Sequence, residues 1–166
     1  VEAVEMDPED ELLQECACRL LHDLLCFDSA NQIRAEKADA IAFVVCAMVT
    51  HAGSEGLQHQ ACRVIHVLTS KHPRNKIRAG REGAVEAVVA ALRGHTKIQV
   101  VQLHACAALR ALTSGVAARN QRRAMKAHAF EAVIAAMRAH EGLWELQGEA
   151  CRALRNMTQE RRPDKN

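Results

Sequence analysis

The feature that most constrains this fold is a motif that occurs four times at a nearly constant spacing. Its form is Leu-Gln-x-x-Ala-Cys-Arg, and only the third copy departs from it, at Val101 and Ala107. The cysteines of the motif lie 44, 44 and 45 residues apart, at Cys18, Cys62, Cys106 and Cys151. A period of this size indicates stacked helical repeats, because each short unit can bury its apolar face only against its neighbours. Such an array predicts binding along an extended surface.

The composition also favours packed helices. Apolar residues make up 49% of the chain but aromatic residues only 2%. The core must therefore consist of aliphatic side chains and cysteine, which is typical of helices rather than sheets. The longest apolar run, residues 40–49, is shorter than the roughly 18 residues of a membrane-spanning helix and fits a buried helix instead.

Three further sets of residues recur between the copies of the motif and divide each repeat into three predicted helices. The first set contains the predicted N-caps of short basic helices, Asn31, Asn75 and Asn120. The second marks breaks before apolar helices, at Asp39, Gly83 and His128. Because only glycine turns sharply at no steric cost, we expect the corners at Asp39 and His128 to be less tight. The third set contains the residues at which the apolar helices are predicted to end, His51, His95 and His140. An imidazole at that place meets the negative end of the helix dipole.

The most complete repeats resemble the armadillo family. Asn75–Leu92, continued by Ala105–Thr113, is similar to one armadillo repeat, and Gln147–Thr158 is similar to the third helix of that family. The resemblance implies an all-α, right-handed α-α superhelix, an armadillo-type solenoid of about 3.5–4 repeats. We expect one array over residues 1–166, with repeats near 11–30, 31–74, 75–119 and 120–160. Because Val1–Val4 resembles part of a second helix and Asn166 stands near the next asparagine position, we also expect a fragment of a longer solenoid.

The resemblance implies a non-catalytic protein–protein interaction scaffold whose third helices line a concave groove. Members that bind extended peptides use an asparagine late in each third helix and a tryptophan one turn earlier. Only Asn156 matches the asparagine, and arginine or alanine stands at every tryptophan position. Recognition of basic peptides is therefore not expected. Two alternatives remain: a structural spacer within a large assembly, for example a ciliary or cytoskeletal one, and a regulatory segment of a multidomain enzyme.

Basic residues recur at two positions of the predicted groove, three residues apart on one helix face. The first position holds Arg19, Arg63 and Arg152, and the second holds His22, His66, Arg110 and Arg155. Together with Asn156 they predict a groove that binds an extended acidic segment of a partner protein. If His22 and His66 carry charge, binding should strengthen as the pH falls toward 6. The alternative is an ordinary solvated face.

A second basic ladder lies on the predicted first helices, at Arg34, Lys37, Arg78, Arg81, Arg123 and Lys126. Such residues could meet phosphate groups of nucleic acid or of a lipid headgroup. Aromatic residues that stack on bases are nearly absent, so a nucleic-acid partner is not expected. The alternative is a polar edge that keeps the solenoid in solution. The single tryptophan, Trp144, is expected to fill the corner before the last third helix, and the alternative is a contact with a neighbouring molecule.

The cysteines and histidines predict no catalytic residue, no metal site and no cofactor. Cys18, His22 and Cys26 share one helix face, but the other members of the cysteine ladder lack such partners. No Cys–His pair comes with a third orienting group in the sequence. We interpret the recurring cysteines as free thiols in small core positions, because equivalent sites on packed helices lie too far apart for a disulfide. Free thiols suit a reducing intracellular compartment, whether cytoplasm, nucleus or cilium.

Overall fold

The computed structural model describes residues 7–27, 29–115 and 118–159, and every regular element in these ranges is an α-helix. The helices are α1 (Glu11–Phe27), α2 (Ser29–Lys37), α3 (Ala40–Thr50), α4 (Glu55–Ser70), α5 (Pro73–Arg81), α6 (Ala84–Gly94), α7 (Gln99–Thr113), α8 (Ala118–Lys126), α9 (Ala129–Ala139) and α10 (Trp144–Thr158). The predicted all-α solenoid is confirmed. The expectations for Val1–Val4 and Asn166 lie outside the described residues.

The helices follow a repeating order of short, medium and long. Each first helix (α2, α5, α8) has 9 residues, and each second helix (α3, α6, α9) has 11. The third helices are α1, α4, α7 and α10, with 15 to 17 residues. Adjacent third helices make the most extensive contacts in the described chain. The long helices therefore lie side by side and form a continuous layer.

Three of the four cysteines of the ladder lie inside this layer, as the spacing predicts, and the fourth does not. Cys18, Cys62 and Cys106 are fully buried, and every cysteine in the described chain is a free thiol. Burial, and after it the charge of Glu15, raises the pKa of Cys18 to about 12, so the thiol stays protonated at neutral pH. Cys151 is exposed, because no described helix packs beyond α10.

The glutamine of the repeated motif joins each third helix to the second helix before it. Gln58 Nε2 donates to the carbonyl oxygens of Met48 (2.8 Å) and His51 (3.1 Å) at the end of α3. Gln102 and Gln147 make the equivalent pairs of bonds to the ends of α6 and α9. The last carbonyls of a helix have no partner within it, so these amides satisfy groups that burial would otherwise leave unpaired.

The histidines that end the second helices join one repeat to the next. They are the C-caps of those helices, as the sequence predicts. In addition, His95 Nε2 donates to the carbonyl oxygen of Ala52 (2.9 Å), and His140 Nε2 donates to that of Thr96 (2.9 Å). Ala52 and Thr96 each follow the corresponding histidine of the preceding repeat. Each imidazole therefore stabilises the stacking of two repeats as well as one helix end.

The recurring asparagines are not N-caps, so that prediction is wrong. The first helices begin two residues earlier; α5, for example, starts at Pro73 with His72 as N-cap. Asn75 Nδ2 instead donates to the carbonyl oxygen of Leu68 (3.0 Å), at the end of the preceding third helix. Asn31 and Asn120 donate in the same way to Leu24 and Leu112. The unpaired carbonyls at a helix C-terminus are the groups that these amides satisfy.

The three corners between first and second helices have the same conformation, so the expectation of looser corners is also wrong. Asp39, Gly83 and His128 have φ values of 55°, 88° and 58°, all in the left-handed region. A non-glycine residue in that region costs about 1–2 kcal/mol. Asp39 forms an ion pair with Arg78 of the next first helix, which offsets part of that cost. We infer that packing of the two flanking helices imposes the left-handed conformation on the corner residue, whichever residue it is.

The first helices α5 and α8 approach closely at Gly80. Asn120 Nδ2 reaches across this seam to the carbonyl oxygen of Lys76 (2.8 Å) and also donates to that of Leu112 at the end of α7 (3.0 Å). A Cβ atom added to Gly80 would lie 1.8 Å from Asn120 Oδ1. Because Asn120 is buried and makes two bonds, it cannot move away without losing them. Glycine is therefore required at residue 80 for steric reasons.

We predict that Gly80→Ala lowers the free energy of unfolding by about 1–3 kcal/mol, the cost of leaving buried polar groups unpaired less the higher helix propensity of alanine. The matched control is Gly94→Ala, at the end of α6, where an added Cβ has open space. Urea denaturation followed by circular dichroism measures both. Equal stabilities of the two variants would contradict the steric role of Gly80.

Candidate functional site

Three positions of the third helices recur on one face and form the candidate groove. The first row, three residues before the recurring arginines, contains Cys16, Gln60, His104 and Glu149. The middle row contains Arg19, Arg63, Ala107 and Arg152. The last row contains His22, His66, Arg110 and Arg155. Because the third helices lie side by side, each row runs across the array from α1 to α10.

Each arginine of the middle row contacts the first-row residue that stands three positions earlier on the same helix. Arg63 Nη1 donates to Gln60 Oε1 (2.9 Å), and Arg152 Nη1 pairs with Glu149 Oε1 (3.0 Å). Arg19 Nη2 lies 3.4 Å from Cys16 Sγ. Sequence reasoning missed this row, although its residues stand three positions before the arginines and so share their helix face. These contacts hold each guanidinium group against its own helix.

Arg110 connects three third helices. Its Nε donates to Glu149 of α10, and its Nη2 donates to His66 Nε2 of α4 at 3.0 Å. The Glu149 side chain is only 19% exposed, so its ion pairs with Arg110 and Arg152 are partly shielded from water. The structure thus brings together three predicted site residues, His66, Arg110 and Arg152, and places an acid between them.

His66 does not carry the charge that the sequence suggested. Its Nε2 accepts the hydrogen bond from Arg110, which requires a neutral ring. Burial and then the positive charge of Arg110 lower the pKa of His66. Protonation of His66 would break this hydrogen bond, and stronger binding of acids near pH 6 stays a prediction. His22 lies beside an acid instead, with Nδ1 3.1 Å from Asp23 Oδ1.

Two further histidines, His59 and His104, lie among the groove arginines. Their ring centroids are 4.7 Å apart, with the planes tilted by 53°. Burial, followed by the charges of His104 and Arg63, lowers the pKa of His59 to about 4. Burial also lowers the pKa of His104. These two imidazoles therefore add polar contact but no charge at neutral pH.

Asn156 and Trp144 have roles that differ from those expected. Asn156 Nδ2 donates to the carbonyl oxygen of Arg110 (3.0 Å), so the amide is already engaged between α10 and α7. Trp144 does not fill a corner: its side chain is 76% exposed. It lines a recess of about 370 Å³ together with His66, Ala107 and Arg152. The recess gives the basic groove one apolar contact surface.

The family model described as LRRK2 ARM repeat matches residues 1–166. The chain belongs to the LRRK2 ARM repeat family. The resemblance to armadillo repeats is confirmed by this match and by the helices described above. The comparisons with curated proteins and with solved structures found no match. In the ranges that the structure describes, no helix of this LRRK2 ARM repeat chain combines the length and apolar character needed to cross a membrane.

In this LRRK2 ARM repeat chain, contacts within the protein occupy half of the predicted basic ladder. Arg78 pairs with Asp39 and donates to the carbonyl oxygen of Glu36 (2.9 Å). Arg123 pairs with Glu86 Oε1 (2.9 Å), and Arg34 donates to Asn31 Oδ1 (3.3 Å). The other three members, Lys37, Arg81 and Lys126, are exposed. The ladder is therefore not a uniform phosphate-binding strip.

A cysteine, a histidine and a carboxylate do lie in hydrogen-bonding order on α1, contrary to the expectation that no third group is present. Cys26 Sγ lies 3.3 Å from His22 Nε2, and His22 Nδ1 lies 3.1 Å from Asp23 Oδ1. All three are on one helix, whose N–H groups bond along the helix and are not free to stabilise an oxyanion. No group of three or more His, Cys, Asp or Glu in the described ranges has the arrangement of a metal site.

The depressed histidine pKa values predict acid sensitivity in this LRRK2 ARM repeat array. An unfolded chain takes up protons on its imidazoles near pH 6.5, whereas folded His59 resists them until about pH 4. The folded pKa is lowered, so the stabilisation is present above pH 6.5 and is lost as the pH falls. We expect the free energy of unfolding to decrease between pH 6.5 and 5, measured by urea denaturation.

The variant His59→Gln should flatten that dependence, because it removes the group whose pKa shifts on folding. His128→Gln is the matched control, since His128 is exposed at a corner away from the third helices. Identical slopes in His59→Gln and in the control would show that the buried groove imidazoles do not cause the acid sensitivity.

Proposed function

We propose that the groove on the third helices binds an extended acidic segment of a partner protein. Armadillo repeats serve as protein-interaction scaffolds, which sets the class of function. The observation that supports an acidic segment is that Arg19, Arg63 and Arg155 lack acidic partners. None of the three has a carboxylate partner among the described residues, and all lie on the rows of the groove. Guanidinium groups without acids on a recessed surface favour a ligand that supplies them.

The spacing of the rows favours an extended segment over a helix. Packed helices lie about 8–10 Å apart, and an extended chain rises roughly 3.3 Å per residue. One repeat therefore corresponds to about three residues of an extended ligand. Side chains three residues apart face the same side in the extended polyproline II conformation, so we expect carboxylates at every third position of the partner segment to meet the guanidinium groups of the middle row, with Arg63 as the central contact.

Glu149 limits how strongly the groove attracts acids. It occupies Arg110 and Arg152, so a ligand carboxylate near α10 must share those cations with it. The neutral histidines, His59 and His104, offer polar contact without repelling either charge. Specificity then depends on where the acidic residues of the ligand lie along the rows. Trp144 adds an apolar contact at the α10 end.

The test is the charge-reversal double variant Arg63→Glu/Arg152→Glu. A labelled peptide with glutamate at every third position serves as the probe, and anisotropy at physiological salt measures its affinity. Each exposed ion pair contributes up to about 1 kcal/mol and each repulsion a similar loss, so we expect about tenfold weaker binding or more.

The matched control is Lys97→Glu/Arg138→Glu, which makes the same change of net charge at exposed residues outside the groove rows. It should bind the peptide within about twofold of the original chain. An equal loss in both double variants would indicate a nonspecific charge effect and would sink the groove proposal. If the endogenous partner, captured from lysate, is retained unchanged by the groove variant, the spacer alternative is favoured instead.

A second variant tests the opposite direction. Glu149→Gln removes the acid that competes with the ligand and leaves Arg110 and Arg152 available. We expect the acidic peptide to bind about two- to fivefold more tightly, the range given by one exposed ion pair. Glu145→Gln, which lines the same recess but pairs with neither arginine, is the control. Weaker binding by Glu149→Gln would mean that the acid orients the arginines rather than competing for them.

A further inference from the structure

A basic cleft lies away from the groove, where the first helices α5 and α8 meet. Three arginines of α8, Arg119, Arg122 and Arg123, line two adjoining depressions of about 530 and 520 Å³. Lys126 and Glu86 border the first depression, and Arg81 of α5 borders the second. We name the five cations Arg81, Arg119, Arg122, Arg123 and Lys126 the first-helix cleft.

The helix period puts the α8 cations of the cleft on one face. Residues 119, 122, 123 and 126 stand at positions i, i+3, i+4 and i+7, which form a single stripe of an α-helix. Arg81 faces that stripe across the seam between α5 and α8. The seam is well fixed, because Asn120 of α8 donates to Lys76 of α5 and to Leu112 of α7, and Gly80 allows α5 and α8 to approach closely. The cations therefore project from a defined surface.

The first-helix cleft has one acid and an excess of unpaired positive charge. Glu86 pairs with Arg123 at 2.9 Å. The other four cations, Arg81, Arg119, Arg122 and Lys126, are exposed and have no carboxylate partner among the described residues. Like charges three and four residues apart on a helix repel one another, so this arrangement destabilises α8 when nothing is bound. An anion in the cleft would remove that repulsion.

We propose that the first-helix cleft binds a compact polyphosphate, a small scaffold that carries several phosphate groups, such as an inositol phosphate. Guanidinium groups match phosphate oxygens in two-pronged hydrogen bonds, and four of the five cations are arginines. Depressions of this size fit a small molecule. No aromatic residue lines either depression, so the stacking platform that single-stranded nucleic acid uses is missing from the described lining. The same chemistry is found in free inositol phosphates and in phosphoinositide headgroups.

The experiment titrates inositol hexakisphosphate into the full chain by isothermal calorimetry at physiological salt. We expect saturable binding at one site. Arg119→Gln/Arg122→Gln should weaken it at least about tenfold, because two charge-assisted contacts are lost. Arg81→Gln, on the opposite helix, should weaken it independently. The matched control Lys97→Gln/Arg138→Gln removes the same charge elsewhere and should change the affinity less than about twofold.

Circular dichroism confirms that each variant is folded. Absence of saturable binding, or equal losses in the cleft and control variants, would overturn the proposal. Binding of a single-stranded oligonucleotide more tightly than of the polyphosphate would overturn it as well, in favour of nucleic acid.

Phosphatidylcholine vesicles with and without phosphatidylinositol bisphosphate identify the source of the phosphates. Vesicle binding that the soluble compound displaces indicates a lipid headgroup, and binding of the soluble compound alone indicates a free phosphate ligand.

Discussion

Side-by-side burial of the third helices is the interaction on which the rest of this structure depends. Leu57, Ile65, Leu68, Leu109 and Leu112 of the central two helices are fully buried. Each such side chain contributes about 1.5–3 kcal/mol relative to exposure. Burial on this scale also encloses the ends of the shorter helices, whose last carbonyls need partners. The recurring Gln, Asn and His side chains supply those partners, so the polar ladders are a consequence of the apolar packing.

The same packing creates the two surfaces proposed to bind anions, and they differ in their balance of charge. In the groove, Glu149 links Arg110 and Arg152, and burial lowers the pKa values of the imidazoles of His59, His66 and His104. In the first-helix cleft, Arg123 is the one cation that pairs with a carboxylate of the described residues. A groove whose cations are partly paired with an acid suits an extended ligand of moderate charge. A cleft in which four of five cations lack such a partner suits a small ligand of high charge density.

The sequence predicted the elements that depend on period and missed those that depend on contacts between repeats. The order of helices, the buried cysteines and the histidine caps follow from residues that recur every 44 or 45 positions. The role of Asn75 was mistaken because its partner, Leu68, belongs to a different helix. The corners at Asp39 and His128 were predicted wrongly, because the prediction used the backbone preference of each residue and left out the helix packing that overrides it.

The candidate site was only partly predictable for the same reason. Arg63 and Arg152 are found from their spacing alone, but the acid between Arg110 and Arg152 comes from Glu149, 39 residues beyond Arg110 and on another helix. A search for the residue three positions before each arginine would have found this row, because the i, i+3 relation fixes the helix face. The pKa of His66 depends on burial and on Arg110, which no pattern in the sequence shows.

The most direct measurement is a crystal structure of this chain with an acidic peptide bound. We predict an extended peptide that crosses the third helices, with a carboxylate on Arg63 and another residue of the same peptide, two repeats away, against Trp144. A peptide seated on the second helices, or one that follows a single helix as a helix itself, would contradict the claim that stacked third helices create the recognition surface.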